Sequence, residues 1–322
     1  MANILVTGGA GFIGSCFIKY ILNKYPDYRI FNLDALTYCG RLENLKEVEN
    51  NPNYTFIHGN ILDKNLVGEI MHKCDYVVNF AAETHVDNSI KTPEIFIETN
   101  VKGTLNLLQN ALEHNIKKYL QISTDEVYGS LGKEGYFSEN SPLNPNSPYS
   151  ASKASADMLT RAYHETYGLP TLITRCSNNY GPNQFPEKLI PCFISKLLKG
   201  EKVPVYGDGL NVRDWLYVYD HCSAIDAVLH KGKIGEVYNI GGHNEKTNLE
   251  ITKLILEAMG KDETSIEYVQ DRLGHDKRYA IKNDKITELG WKPSVTFEEG
   301  IKTTIEWYLD NMQEEKTICK KS

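Results

Sequence analysis

Short apolar runs alternate with stretches of helical periodicity through the first half of the chain. The runs are Asn3 to Thr7, Ile30 to Leu33, Tyr54 to His58, Tyr76 to Phe80, Lys118 to Ser123 and Thr171 to Arg175. Runs this short predict strands buried on both faces of a parallel sheet, where no wet side imposes alternation. Between them, Phe12 to Asn23, Pro93 to Glu113 and Pro148 to Tyr167 carry apolar residues at helical spacing; the second puts Ile97, Val101, Leu105 and Leu108 on one face. Strand and helix in alternation predict an α/β fold with a doubly wound parallel sheet.

The pattern then changes twice. Gly129 to Pro148 is rich in Gly, Ser, Asn and Pro and predicts a long loop, a feature that compact domains keep mainly for function. Past Asn178 the alternation gives way to aromatic, proline-punctuated sequence. This predicts a smaller α/β domain, 179–322, laid over the C-terminal edge of a first domain, 1–178. The strand-like Glu236 to Ile240 softens that boundary, because a segment of about 211–242 is expected to rejoin the first sheet. The basic tail Lys316, Lys320 and Lys321 reads as a solvated end.

Composition narrows the class. With 322 residues, 41% of them hydrophobic, the chain can bury a full core. Its net charge of −7 argues against a nucleic-acid partner, which needs clustered Lys and Arg, so any phosphate must be bound locally. The seven cysteines are scattered without a C-x-x-C pair, which fits free thiols in a reducing cytoplasm and neither a disulfide framework nor a metal site. No signal-peptide core follows Met1, and no apolar run approaches the roughly 18 residues of a membrane span, so no membrane partner is expected.

Thr7-Gly8-Gly9-Ala10-Gly11-Phe12-Ile13-Gly14 follows the first expected strand and opens the first helix. In that context Gly8 permits a tight turn, Gly11 lets a pyrophosphate approach the backbone, and Gly14 lets helix pack on strand, while the helix N-terminus offers free N–H donors. Asp34 ends the second expected strand, where a carboxylate accepts from the adenosine ribose hydroxyls and repels a 2′-phosphate. A Rossmann-type domain holding NAD is the expectation.

The Gly-x-x-Gly-x-x-Gly spacing resembles the extended short-chain dehydrogenase/reductase family. The resemblance implies that Phe12, Ile13 and Thr37 also touch the cofactor, that Asn60 and Ile61 flank the adenine, that Ala81 and Ala82 line the cofactor, and that Thr99 lies nearby. The family more often has Asp at Asn60; a neutral amide still reaches the adenine amine. Tyr149 and Lys153 stand one helical turn apart. A phenol is a poor base at neutral pH, and a neighbouring ammonium and the nicotinamide charge both favour its phenolate. Spacing alone decides nothing, since 20 tyrosines in a lysine-rich chain give about two Tyr-x-x-x-Lys pairs by chance. Tyr20 and Lys24, at the end of the first expected helix, read as a structural pair. Tyr149 and Lys153 follow the long loop and the fifth strand, which ends at Ser123-Thr124.

Asp125 and Glu126 come next, two adjacent carboxyls at the C-terminal end of a parallel strand, where such sheets bind ligands. By themselves they fit a turn or a helix cap as well. The run Ser123-Thr124-Asp125-Glu126-Val127-Tyr128-Gly129 resembles the dTDP-glucose 4,6-dehydratases of the same family. That implies Thr124 on the sugar hydroxyl being oxidised, Asp125 as the acid for the departing C6 hydroxyl, and Glu126 as the base for the C5 proton. Epimerases of the fold lack this acidic pair. NAD is then regenerated in each cycle and expected to stay bound.

Further motifs extend the resemblance: Ala81 to Asp87, Arg175 to Pro182, Phe185 to Pro191, Asn211 to Trp215 and Asp271 to Asp276. By position, His85 and Asn178 meet the hexose or its phosphate and Asn179 the nicotinamide. Lys188, Leu189, Pro204, Tyr206 and Asn248 surround the nucleoside; Arg213 and Arg272, with His275 beside them, take the diphosphate. A diphosphate needs cationic forks, which suits the two arginines. Leu273 replaces the Pro usual in that turn, which loosens it, and Cys39 stands where relatives often have Ala. The resemblance also implies a homodimer through Pro93 to Glu113 and Pro148 to Tyr167. Open alternatives are a UDP- or CDP-glucose dehydratase, a UDP-sugar 4-epimerase, and a non-catalytic NAD sensor.

Overall fold

The computed structural model describes residues 2–318, with side chains as far as Asn311; Cys319, Lys320 and Lys321 lie outside the described residues, as does the side chain of Lys316. Six parallel strands come first: β1 (Asn3–Thr7), β2 (Arg29–Asp34), β3 (Tyr54–His58), β4 (Tyr76–Asn79), β5 (Lys118–Thr124) and β6 (Thr171–Cys176). They are the six expected runs to within a residue or so at each end. β7 (Asn178–Tyr180), β8 (Val203–Tyr206) and β9 (Val212–Tyr217) leave the sheet, β10 (Val237–Ile240) joins it, and β11 (Glu245–Thr247) and β12 (Ile266–Val269) lie outside it.

The large sheet has the order β10-β6-β5-β4-β1-β2-β3, with parallel pairing throughout, a Rossmann-type doubly wound arrangement. The order turns at β1, which has β2 on one side and β4 on the other, and ligands bind at the carboxyl ends of strands beside such a turn. The helices are α1 (Phe12–Lys24), α2 (Lys64–Met71), α3 (Val86–Lys91), α4 (Pro93–Phe96), α5 (Thr104–Glu113), α6 (Pro148–Tyr167), α7 (Leu189–Leu198), α8 (Val218–Lys231), α9 (Asn248–Ala258), α10 (Asp284–Glu288) and α11 (Phe297–Ile318). One face of the sheet packs Ile4 and Val6 with Phe17, Ile21, Ile225 and Val228 of α1 and α8; the other packs Leu5 and Val77 with Val67, Leu107 and Leu108 of α2 and α5. Each such fully buried aliphatic side chain contributes roughly 1.5–3 kcal/mol, which is why these strands are mainly apolar.

The smaller domain has its own core of Ile190, Phe193, Ile194, Val205, Trp215, Ile251 and Ile255 under two small sheets, β11-β9-β7 and β12-β8. The stretch expected to rejoin the large sheet, 211–242, divides in two. β9 pairs within the small domain, whereas α8 packs on α1 and β10 extends the large sheet.

Pro93 to Glu113 differs from a plain helix. Ile97–Gly103 winds as a π-helix between α4 and α5. Its wider turn moves later residues off the expected face, so Leu108 is fully buried while Ile97 is 46% exposed. The long loop after β5 is tied down: Leu131 N donates to Arg278 O and Phe137 N to Ala280 O. It ends at Ser147, whose reciprocal bonds with Ser150 cap α6.

Candidate active site

The glycine loop stands between β1 and α1. Gly8 has φ of 69°, and a Cβ there would sit 2.7 Å from Ala81 N; a Cβ on Gly14 would sit 2.5 Å from Gly8 O. The first demands a left-handed turn beside the end of β4, the second a close helix–strand approach. The N-terminus of α1 has no side-chain cap and no acidic residue in its first turn, which leaves its N–H donors and positive dipole for an anion. At the end of β2, Asp34 accepts from Ala10 N and Leu36 N, each at 2.8 Å. Burial pushes its carboxyl up and those two N–H groups oppose the shift. One cavity of about 300 Å³ collects every residue expected on the cofactor, from Gly8 to Gly14 through Asp34, Thr37, Asn60, Ile61, Ala81, Ala82 and Thr99 to Tyr149, Lys153 and Asn179. An uncapped helix end, a glycine cradle and a buried acid at the second strand fit a dinucleotide.

The side chains expected to act as acid and base stand at the end of β5 and the start of α6. Thr124 Oγ1 accepts from Glu126 N at 3.3 Å, capping the short turn Asp125–Tyr128, and its side chain bonds the Tyr149 hydroxyl. Tyr149 lies in the first turn of α6. Burial, then the Glu126 and Cys176 side chains, push its phenol well above the usual range, and the bond with Thr124 opposes the shift. Lys153 is buried with Nζ donating to Ile122 O at 2.6 Å, and burial pulls its ammonium down. Asp125 is 1% exposed and its Oδ2 has no partner. Burial and the neighbouring Glu126 and Asp214 carboxyls push it well up, with Arg213 opposing. Burial also raises Glu126, against Arg213, Arg272 and Lys188.

A second cavity of about 450 Å³ collects the residues expected on the substrate: His85, Asn178, Lys188, Leu189, Pro204, Tyr206, Arg213, Asn248, Arg272 and His275. Arg213 is 6% exposed, donates to the carbonyls of Val212 and Asp276, and makes no carboxylate ion pair among the described residues. Arg272 stands 3.8 Å from Asp87, and Lys188 Nζ donates to Thr84 O at 3.0 Å. His85 Nδ1 and Asn178 Oδ1 are buried without partners. His275 bonds Asp271 at 2.6 Å; burial pulls its imidazole down against that contact. The two cavities share Thr84, Glu126, Asn178, Asn179, Gln184, Glu187 and Lys188 as wall. Thr124 opens on the cofactor cavity alone, and Asp125 lines neither, lying buried behind Thr124.

Residues 5–304 match the family model described as GDP-mannose 4,6 dehydratase. The chain belongs to this dehydratase family. The dTDP-glucose 4,6-dehydratase of Xanthomonas campestris pv. campestris strain B100 is 52% identical, over 97% of this chain and 94% of that one. The low-salt glycan biosynthesis protein Agl12 of Haloferax volcanii is 54% identical, over 95% and 98%. The crystal structure of the Bacillus anthracis dTDP-glucose 4,6-dehydratase in complex with NAD superposes with a TM-score of 0.91 at 55% identity, covering 97% of this chain and 98% of that one.

Several residues of this dehydratase-family site left no sequence signal. Asn100, in the π-helical turn, accepts from Glu83 N and donates to Glu83 O and to Ser152 Oγ, joining the end of β4 to the helix of Tyr149. Tyr38 donates to Glu187 across the cofactor cavity's rim. Asp276 stands behind Arg213, and Tyr279, on the wall of the second cavity, carries the guanidinium over its ring and bonds Asp276. Each joins segments far apart in sequence, so no local spacing announces it. Cys39 lines the first cavity with its thiol pushed up to about 11 by burial and Glu187, and Leu273, next to Arg272, is 77% exposed.

Proposed function

We propose that the protein is an NAD-dependent hydro-lyase that converts dTDP-glucose to dTDP-4-keto-6-deoxy-glucose. The observation that carries this reading is Glu126 on the wall common to both cavities, beside Thr124 and Tyr149. A hexose held there has its C4 and C5 between the hydroxyl-binding pair and the carboxyl.

Thr124 holds the C4 hydroxyl and Tyr149 takes its proton. The glycine loop, Asp34, Tyr149 and Lys153 would hold NAD in the first cavity, where it would supply a hydride acceptor for C4 and, once reduced, a hydride donor for C6. The Lys153 ammonium, buried under the same wall, adds positive charge that favours the phenolate. Once C4 is a ketone, the C5 hydrogen is acidified and Glu126 removes it; C5 takes a proton back after hydride has reached C6. Asp125 is the acid for the departing C6 hydroxyl; it lines neither cavity, so its carboxyl, with one oxygen unpartnered, has to turn past Thr124 to deliver the proton. Each positioned acid or base accounts for roughly 10² to 10⁴ in rate. Arg213 and Arg272 take the diphosphate, and Leu189, Pro204, Tyr206 and Asn248 surround the nucleoside. A 4-epimerase has no use for an acid at Asp125 next to Glu126, and a nucleotide-binding sensor has no use for the buried Tyr149.

The test is incubation of the protein with dTDP-glucose, with UDP- and CDP-glucose in parallel. The expected product is a 4-keto-6-deoxy sugar with its alkaline absorbance, formed fastest from dTDP-glucose. A galactose epimer instead overturns the reaction, and equal turnover of UDP-glucose overturns the base assignment.

The protein is further assigned as a cytoplasmic homodimer. Ile95, Ile97 and Met158 are each about half exposed on α4, the π-helical turn and α6, an apolar patch that a second copy covers. The six described cysteines are free thiols, which suits a reducing compartment. Sedimentation at a monomer's mass removes the dimer.

A further inference from the structure

Arg213 is a buried cation held by neutral groups. Its guanidinium lies 4.4 Å over the Tyr279 ring, and its NH1 and NH2 donate to the backbone carbonyls of Val212 and Asp276 at 2.8 and 2.9 Å. A guanidinium has five N–H donors, so three stay available for an anion. Glu126 and Asp125 feel its charge without pairing with it, and Asp276 already has its carbonyl on the guanidinium. Yet the Asp276 carboxylate is turned elsewhere: Oδ2 accepts from the Tyr279 hydroxyl and Oδ1 from Asn146 Nδ2 at 2.7 Å. Tyr279 is 3% exposed and Asp276 7%, so water contributes little to holding that carboxylate in place.

We infer that Tyr279 is a positioning residue for the diphosphate site: its ring supports Arg213 while its hydroxyl restrains the Asp276 carboxylate from pairing with that arginine. The restraint keeps the Arg213 guanidinium free of a direct carboxylate pair and open to the nucleoside diphosphate. A buried Arg–Asp pair would instead be largely compensated, and the incoming dianion would have to break it. The same carboxylate holds Asn146, next to the Ser147 cap of the helix carrying Tyr149, so one residue braces the phosphate grip and the approach to the acid–base groups.

The inference rests on the reading of the second cavity as a nucleotide-sugar site. The experiment is calorimetric titration of the NAD-loaded protein with dTDP, which needs no turnover. Tyr279→Phe keeps the ring under Arg213 and removes only the hydroxyl. It is expected to weaken dTDP binding about tenfold, the size of one charge-assisted interaction. Adding Asp276→Asn removes the competing charge, and the double variant is expected to recover to within about threefold of the parent. Parental affinity in Tyr279→Phe overturns the inference. So does a double variant as weak as the single one or weaker, since a hydroxyl needed only for folding or packing is not replaced by neutralising Asp276. Failure of the parent protein to bind dTDP is a separate outcome that overturns the nucleotide-sugar reading and the inference with it.

Discussion

Two Tyr-x-x-x-Lys pairs in this chain have the same spacing and opposite surroundings. Lys24 donates to the Tyr20 hydroxyl at 3.0 Å and to Asp226 at 2.6 Å at the end of α1, so its charge is committed to a carboxylate that is 4% exposed. Tyr20 touches neither cavity. Tyr149 and Lys153 are both buried on the cofactor cavity, with the phenol on Thr124 and the ammonium on a neutral carbonyl. The lesson is that the motif is made by its setting. A cation paired with an acid stabilises the fold, while a cation on a carbonyl keeps its field for whatever enters the cavity.

Substitutions sharpen that contrast. Tyr149→Phe is expected to lower kcat by about 10³-fold or more, while Tyr20→Phe leaves it within about twofold, both read in a steady-state assay with dTDP-glucose. Glu126→Gln is expected to lower kcat by about 10²- to 10³-fold with reduced-nicotinamide absorbance accumulating, because the block falls after oxidation; unchanged turnover would free Glu126 of its role. Lys24→Met is expected to cost about 1–2 kcal/mol of stability in thermal or urea unfolding with kcat unchanged. This is below the loss for a fully buried pair, because Lys24 is half exposed. Burial opposes ionisation of Asp226, but His230 and Lys24 together hold its carboxyl below the usual range. A depressed folded-state pKa stabilises above the unfolded value, near 4, and the stabilisation fades as pH falls through the folded one. The gap between parent and Lys24→Met should therefore narrow on acidification, and a gap that widens would contradict the pairing.

The large sheet was legible because its physics is local. A strand covered on both faces is mainly apolar, with Asn32 and Gln121 buried exceptions in β2 and β5, and Gly8, Gly14 and Asp34 are each required by a turn or a contact that sequence position announces. The cofactor residues accordingly gather in one cavity. Ile97–Gly103 was not legible, since a π-helical turn has no periodic signature, and that one element undid the expected face of Ile97 and Leu108. Asp125 shows a different limit. Its position beside Glu126 is readable, but that it lies behind the cavity wall depends on how the turn after β5 is capped by Thr124. Asn100, Asp276 and Tyr279 were invisible because their partners are brought close only by the fold.

The central claim is that one hexose reaches both cavities through the wall that carries Glu126. Its most direct test is the fate of deuterium from dTDP-glucose labelled at C4, followed by NMR of the product in ordinary water. A hexose shared by both cavities delivers the label to C6 of the product within one closed site. Label remaining at C4, or lost to solvent, would contradict this claim.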